Sequence, residues 1–218
     1  LYVVRGREML GWIALEDRTR REARLAMDQL RALGLRELVM VTGDRWSVAR
    51  RVAKEMGCTE VQAEVLPADK LQLVDALKGQ GHKVAVVGDG VNDAPALAAG
   101  DLSIAMGAAG SDVAINSAAI ALMNTDLRRL PFLIRLSRRT TQVIHQNLLF
   151  GIGFIVVLVI LAAMNVINPI IAAVLHMVTA TFVIFNSARL VRFGEDMHMQ
   201  DVLEEPRKTI SKVEHVPA

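Results

Sequence analysis

The sequence offers a single cysteine, Cys58, in 218 residues. An internal disulfide framework is therefore excluded, and so is a CxxC metal site within the chain. An excess of charge of one sign is also lacking: 25 Lys and Arg against 23 Asp and Glu leave a net of only +2 at pH 7. That balance gives no general nucleic-acid surface, and no nucleic-acid partner is expected. Neither an initiator methionine nor a signal peptide opens the chain. It begins in mid-pattern with LYVVRGREMLGWIALED, which reads as a hairpin cut from something longer, so a fragment is expected. What is plentiful is apolar. Hydrophobic residues make up 52% and the mean hydropathy is +0.34. The excess concentrates between about Asn147 and Leu190, so a soluble part followed by a membrane part is the first expectation.

Along the first half, apolar positions recur with helical spacing and then break. Residues 18–33 place Ala23, Met27, Leu30 and Leu33 at that spacing, with Gly34 as a C-cap. Residues 46–56 predict a second helix with Val48, Val52 and Met56 on one face, capped by Gly57. Residues 68–78 predict a third, with Leu71, Val74 and Leu77 together. Between them lie short apolar runs: 37–41, 83–87, 102–106 and 119–123, with a weaker alternation at 59–65. Strands alternating with helices point to a parallel sheet covered on both faces. Right-handed crossovers then place all strand C-termini on one edge, where open α/β sheets bind ligands.

After Asp126 the character changes. The stretch 127–146 carries Arg128, Arg129, Arg135, Arg138 and Arg139. It reads either as a solvated helix face or as a juxtamembrane segment on the cytoplasmic side. The next two stretches favour the juxtamembrane reading. NLLFGIGFIVVLVILAAMNVI and NPIIAAVLHMVTATFVIFNSA are uncharged apart from one histidine, and each is long enough to cross a bilayer core. The turn around Asn165–Pro169 is short and uncharged, whereas Arg189 and Arg192 close the second stretch. Arginines at both outer ends place both ends of a transmembrane hairpin in the cytoplasm. The remaining residues are polar and read as a flexible tail.

The sheet edge carries the chemistry. VTGD supplies Thr42, Gly43 and Asp44 directly after a strand. Gly43 lets the backbone turn closely, and Thr42 offers a hydroxyl and an N–H to an oxyanion. Lys70, in LPADK, brings a positive charge near a helix N-terminus, which itself favours anions. Asp89 and Asp93, in GDGVND, are hard oxygen ligands of the kind Mg²⁺ takes together with phosphate oxygens and water. Carboxylates alone would repel a phosphate. Carboxylates with a magnesium ion, a lysine and a threonine make a phosphoryl-transfer site.

The ordered set LED..R, VMVTGD, LPADK and GDGVNDAPAL, succeeded by a membrane hairpin, resembles the C-terminal part of a P-type cation-transporting ATPase. The resemblance covers residues 1 to about 192. It implies a haloacid-dehalogenase-like α/β fold, here a partial parallel sheet, followed by an all-α transmembrane hairpin. Its implied segments are 1–126, the C-terminal part of the phosphorylation domain; 127–146, a basic juxtamembrane helix; 147–191, the hairpin; and 192–218, a cytoplasmic tail. By motif, Asp89 is implied as the Mg²⁺ ligand, with Asn92 and Asp93 supporting it. Thr42 and Lys70 are implied as contacts to the phosphoryl group, and Gly43 and Asp44 as the turn that shapes the loop. Asp17, with Arg20, matches the segment at the nucleotide side, so ATP is the implied cofactor of the intact protein beside Mg²⁺. The family's nucleophile is the first aspartate of a DKTGT motif, and that string does not occur in these 218 residues. The actuator domain, the nucleotide-binding domain and earlier membrane helices are implied to lie upstream. The chain alone is expected to be inactive.

A single terminal hairpin resembles the heavy-metal-transporting subclass, as does the ending VIFNSARLV. Polar groups within a membrane span are functional candidates. The second span offers His176, Met177, Thr179 and Asn186. A histidine beside a soft thioether suits Cu⁺ or another late transition metal. Equally, His176 reads as a packed or interfacial side chain, and the residues assign no particular metal. Asn147 fits a metal contact, a cap or a helix–helix hydrogen bond. Two other classes of function stay open: a non-catalytic membrane module derived from such a pump, and a membrane-anchored phosphatase of the same superfamily. The phosphatase needs an early aspartate nucleophile, for which only Glu16 and Asp17 are at hand.

Overall fold

The structure is a computed structural model, and it describes residues 2–6, 8–12, 19, 21–90, 92–107 and 112–203. Asp17, Arg20 and Glu16 lie outside the described residues, as does the tail from 204 onward. The chain divides into two compact units, residues 1–131 and 132–218.

The first unit opens with an antiparallel hairpin of β1 (Tyr2–Arg5) and β2 (Glu8–Trp12). Then come α1 (Arg21–Ala32), β3 (Val39–Val41), α2 (Trp46–Met56), β4 (Glu60–Gln62) and α3 (Pro67–Gly79). β3 pairs in parallel with β4. The unit continues with β5 (Ala85–Gly88), α4 (Ala94–Ala99), β6 (Leu102–Met106), α5 (Asp112–Ser117) and β7 (Ile120–Leu122), and β5–β6–β7 form a second parallel sheet. The strands expected from the apolar runs are therefore all present and their ladders are parallel. The expected continuous sheet instead stands as two, because no hydrogen bond joins β3 to β5 among the described residues. Val87, in the middle of β5, is 41% exposed, unusual for a strand of a parallel sheet.

Helix packing matches the apolar spacing with one shift. Ala23, Ala26 and Leu30 of α1 are buried, as is Val74 of α3. On α2 the expected stripe through Val48 is rotated: Val48 is exposed, and Ala49 and Ala53 are the buried pair. Alanine at these positions lets the helix backbone approach its neighbours closely, which a β-branched valine would prevent. α4 and α5 are each a single short turn-and-a-half, too brief to leave a periodic signal in the sequence.

The second unit contains two long helices. α6 (Arg129–Ala163) starts within the basic stretch and runs unbroken through the first apolar span; α7 (Pro169–Leu203) carries the second. The turn between them is built from local rules. Asn165 adopts φ +55°, the left-handed geometry common just past a helix end. Asn168 Oδ1 accepts the N–H of Ile171 at 2.9 Å, and Pro169 takes the first helical position. The less exposed positions fall along one stripe of each helix: Asn147, Gly151, Phe154 and Leu158 on α6, and Leu175, Thr179, Val183 and Ser187 on α7. Phe150 and Phe182 meet across the pair at 4.7 Å between ring centroids. The remaining faces are apolar and exposed, with Leu149 at 78% and Phe185 at 70%. Both helices are long and apolar enough to cross a membrane.

Candidate functional site

Three loops at strand C-termini carry the candidate residues. The first succeeds β3. Thr42 continues the ladder by donating its N–H to Gln62 O at 2.9 Å. Its hydroxyl donates to Asp44 Oδ2 at 2.9 Å and accepts the Asp44 N–H at 3.1 Å. Thr42 and Asp44 thus form a closed local turn around Gly43. The turn is tied to the loop after β4, because Val65 N–H donates to Thr42 O and Glu64 N–H donates to Asp44 O, at 3.1 and 3.0 Å.

That second loop leads directly into α3. Pro67 occupies its first turn, and the Asp69 carboxylate accepts the Leu66 N–H at 3.4 Å. Lys70 therefore rises from the helix N-terminal turn toward the third loop. Its Nζ lies 2.5 Å from Asp93 Oδ1, in a pair whose side chains are only 19% and 21% exposed.

The third loop succeeds β5. Asp89 Oδ1 accepts the Asn92 N–H at 3.2 Å, closing a turn through Gly90, whose φ is +78°. Asp93 precedes α4, with Leu97 N–H donating to its carbonyl at 2.8 Å. Gly88 is needed for close approach: a Cβ there would sit 2.7 Å from Asp93 Oδ2 and 2.9 Å from Asp93 Cβ.

The structure thus places the expected residues in three bonded groups at the strand C-termini of two parallel sheets: Thr42 with Asp44, Lys70 with Asp93, and Asp89 with Asn92. The third loop offers two carboxylates, Asp89 and Asp93, and Lys70 reaches Asp93 from α3. That set fits Mg²⁺, which takes one or two carboxylates and completes its shell with phosphate oxygens and water. Among the described residues no group of three or more His, Cys, Asp or Glu could hold a metal by itself. His176 and Met177 are exposed on α7, while Thr179 is buried.

Two groups escaped the sequence reading. Asp126 accepts the Arg128 backbone N–H at 3.0 Å and its guanidinium at 2.8 to 3.1 Å, just ahead of α6. Burial alone would raise the Asp126 pKa. The Arg128 hydrogen bonds and the charges of Arg128 and Arg129 outweigh it, and the carboxyl is held below its ordinary value. Spacing gave no hint, since such a D-x-R is common in solvated turns. The other is Ser187, which partners Asn147. Its signal was a small polar residue in an apolar span, beside Asn186.

Comparison with known proteins extends the motif resemblance. The family model described as haloacid dehalogenase-like hydrolase matches residues 2–101. A manganese-exporting P-type ATPase of Mycobacterium leprae is 45% identical over 196 residues, 90% of this chain and 27% of that protein. A probable cadmium-transporting ATPase of Staphylococcus aureus is 41% identical over 184 residues, covering 84% of this chain and 25% of its own length. The crystal structure of a zinc-transporting PIB-type ATPase in an E2·Pi state superposes with a TM-score of 0.72. Its identity is 38%, over 87% of this chain and 31% of that one. The chain spans about a quarter of the length of the curated relatives it matches.

Proposed function

We propose that this chain, homologous over most of its length to heavy-metal P-type ATPases, is the C-terminal part of such a pump. It supplies the magnesium and phosphate half of an aspartyl-phosphate site together with the last membrane hairpin. Residues 1–126 are the end of the phosphorylation domain, 127–146 a basic juxtamembrane segment, 147–191 the hairpin and 192–218 a tail, with both ends cytoplasmic. The observation that carries this reading is the Lys70–Asp93 contact, which joins the β4–α3 half of the edge to the β5–α4 half.

In the proposed site Asp89 holds Mg²⁺ and Asp93 supports it. When bound, the ion neutralises charge on a transferring phosphoryl group. The chain's own groups do the rest. An ammonium has three donors, so Lys70 keeps Asp93 and still presents N–H to a phosphoryl oxygen. The Thr42 hydroxyl gives up its bond to the Asp44 carboxylate and rotates to donate its one proton to a second oxygen. The Asp44 N–H still holds the hydroxyl oxygen, and Asn92 fixes the Asp89 turn. The nucleophilic aspartate comes from a segment outside these 218 residues, as does most of the ATP site, to which Asp17 contributes. Room for such a segment is consistent with the unjoined β3 and β5 and with the exposure of Val87.

The proposed cargo is a heavy-metal cation, the class named by the relatives. His176 and Met177 are its candidate ligands in α7, and their exposure on the hairpin leaves them accessible to other membrane segments. The test is acid-stable phosphoenzyme formation from Mg-ATP by the intact protein across Mn²⁺, Zn²⁺, Cd²⁺, Co²⁺ and Cu⁺. Stimulation by one or a few of these is expected. An intact protein that forms no phosphoenzyme with any of them is not this pump. It would then fit a non-catalytic module, or, if it hydrolyses phosphate esters unaided, a phosphatase.

A further inference from the structure

A chain of polar side chains crosses between the two apolar helices. Asn147 Nδ2 on α6 donates to Ser187 Oγ on α7 at 2.9 Å. Asn147 Oδ1 accepts from Asn186 Nδ2 at 2.8 Å. Asn186 Oδ1 in turn accepts from the Arg189 guanidinium at 3.1 Å. A guanidinium donates and never accepts. Arg189 therefore turns the Asn186 oxygen toward itself and the Asn186 nitrogen toward Asn147. That leaves the Asn147 nitrogen to face Ser187. The direction of the whole chain, from Arg189 through Asn186 and Asn147 to Ser187, is set by its one residue without an acceptor.

The apolar contacts between the helices carry little register information, because lipid tails compete for the same surfaces. Polar contacts do carry it. A shift of α7 by one residue would carry both of its partners past Asn147 and leave an amide unpaired where water is scarce. We infer that Asn147, Asn186 and Ser187 form the clamp that sets the register of the two membrane spans, with Arg189 as the positioning residue that orients it. Asn147 is therefore assigned as a helix–helix anchor, its amide oxygen and nitrogen each holding a partner on α7. The clamp holds α6 and α7 as one body at the end of the hairpin where the arginines lie.

The test is cysteine cross-linking in the membrane-embedded intact protein, in a Cys58→Ser background. Phe150→Cys with Phe182→Cys reports the observed register, and Phe150→Cys with Phe185→Cys reports a displaced one. The first pair is expected to dominate. Asn147→Leu should lower the ratio of the two yields roughly three- to tenfold, the range for one or two interhelical hydrogen bonds in a bilayer. Arg189→Lys, which keeps a donor, should preserve the ratio, whereas Arg189→Leu should lower it. An unchanged ratio in Asn147→Leu, or equal behaviour of the two Arg189 variants, overturns the inference. Should Asn147→Leu fail to accumulate, Ser187→Ala removes only the terminal acceptor, and an unchanged ratio there is equally fatal. Cross-linking needs neither ATP nor a transported cation, so its outcome is separate from that of the pump reading.

Discussion

Lys70 Nζ stands 2.5 Å from Asp93 Oδ1 across the gap between two loops that belong to different sheets. Their side chains are mostly shielded from water. A charge-assisted bond in that setting is worth more than a surface pair, and breaking it leaves the other partner buried and unpaired.

Lys70→Ala and Asp93→Asn should each lower phosphoenzyme formation by the intact protein about 10²–10³-fold, the usual cost of losing one preorganised charge-stabilising group. The double variant should be far less than additive, because the two residues act as one unit. A rate-quench assay on the three variants checks this.

Gly88→Ala should be deleterious although its backbone is not left-handed. The new Cβ would press on the Asp93 carboxylate, which backs onto the strand end and cannot retreat without releasing Lys70. Overpacking of this kind costs about 1–3 kcal/mol. Thermal unfolding should show that loss, and the Mg²⁺ concentration for half-maximal phosphorylation should rise.

Asp126 gives a pH signature. Its folded pKa lies below the unfolded value, so the Arg128 bonds contribute stability that is present above about pH 4 and lost as pH falls through the folded pKa. Asp126→Asn should therefore cost about 1 kcal/mol at pH 7, the worth of a charged hydrogen bond reduced by solvent screening, and the two proteins should converge in strong acid. Chemical unfolding at a series of pH values reads the difference directly.

His176→Ala should weaken cation-stimulated turnover while sparing phosphorylation from inorganic phosphate, because the change lies in α7 and not at the sheet edge. Unchanged cation dependence would remove His176 from the candidate ligands.

Much of the fold was legible because short apolar runs mark strands and helical spacing of apolar residues marks helices. The runs at 83–87 and 102–106 became β5 and β6, and the helix over 46–56 became α2 residue for residue. The Val48 stripe misled because small residues can out-pack large ones where backbones approach. The break between β3 and β5 was not legible, since pairing partners are set by the whole sheet and not by either strand. At the site, GDGVNDAPAL gave the residue types, but not that Asp93 pairs with Lys70 over Gly88. In the hairpin, Asn147 was visible as a polar residue out of place. Its partner Ser187 was not, because contacts 40 residues apart depend on the register of two helices.

The magnesium dependence of phosphorylation in the intact protein, measured for the unmodified enzyme and for Asp89→Asn, decides whether this sheet edge holds the ion. Asp89→Asn is expected to lower acid-stable phosphoenzyme from ATP by about two orders of magnitude, and raised Mg²⁺ is expected to recover part of it. Full phosphoenzyme at the same Mg²⁺ requirement would contradict the assignment of the edge as the magnesium and phosphate half of the site.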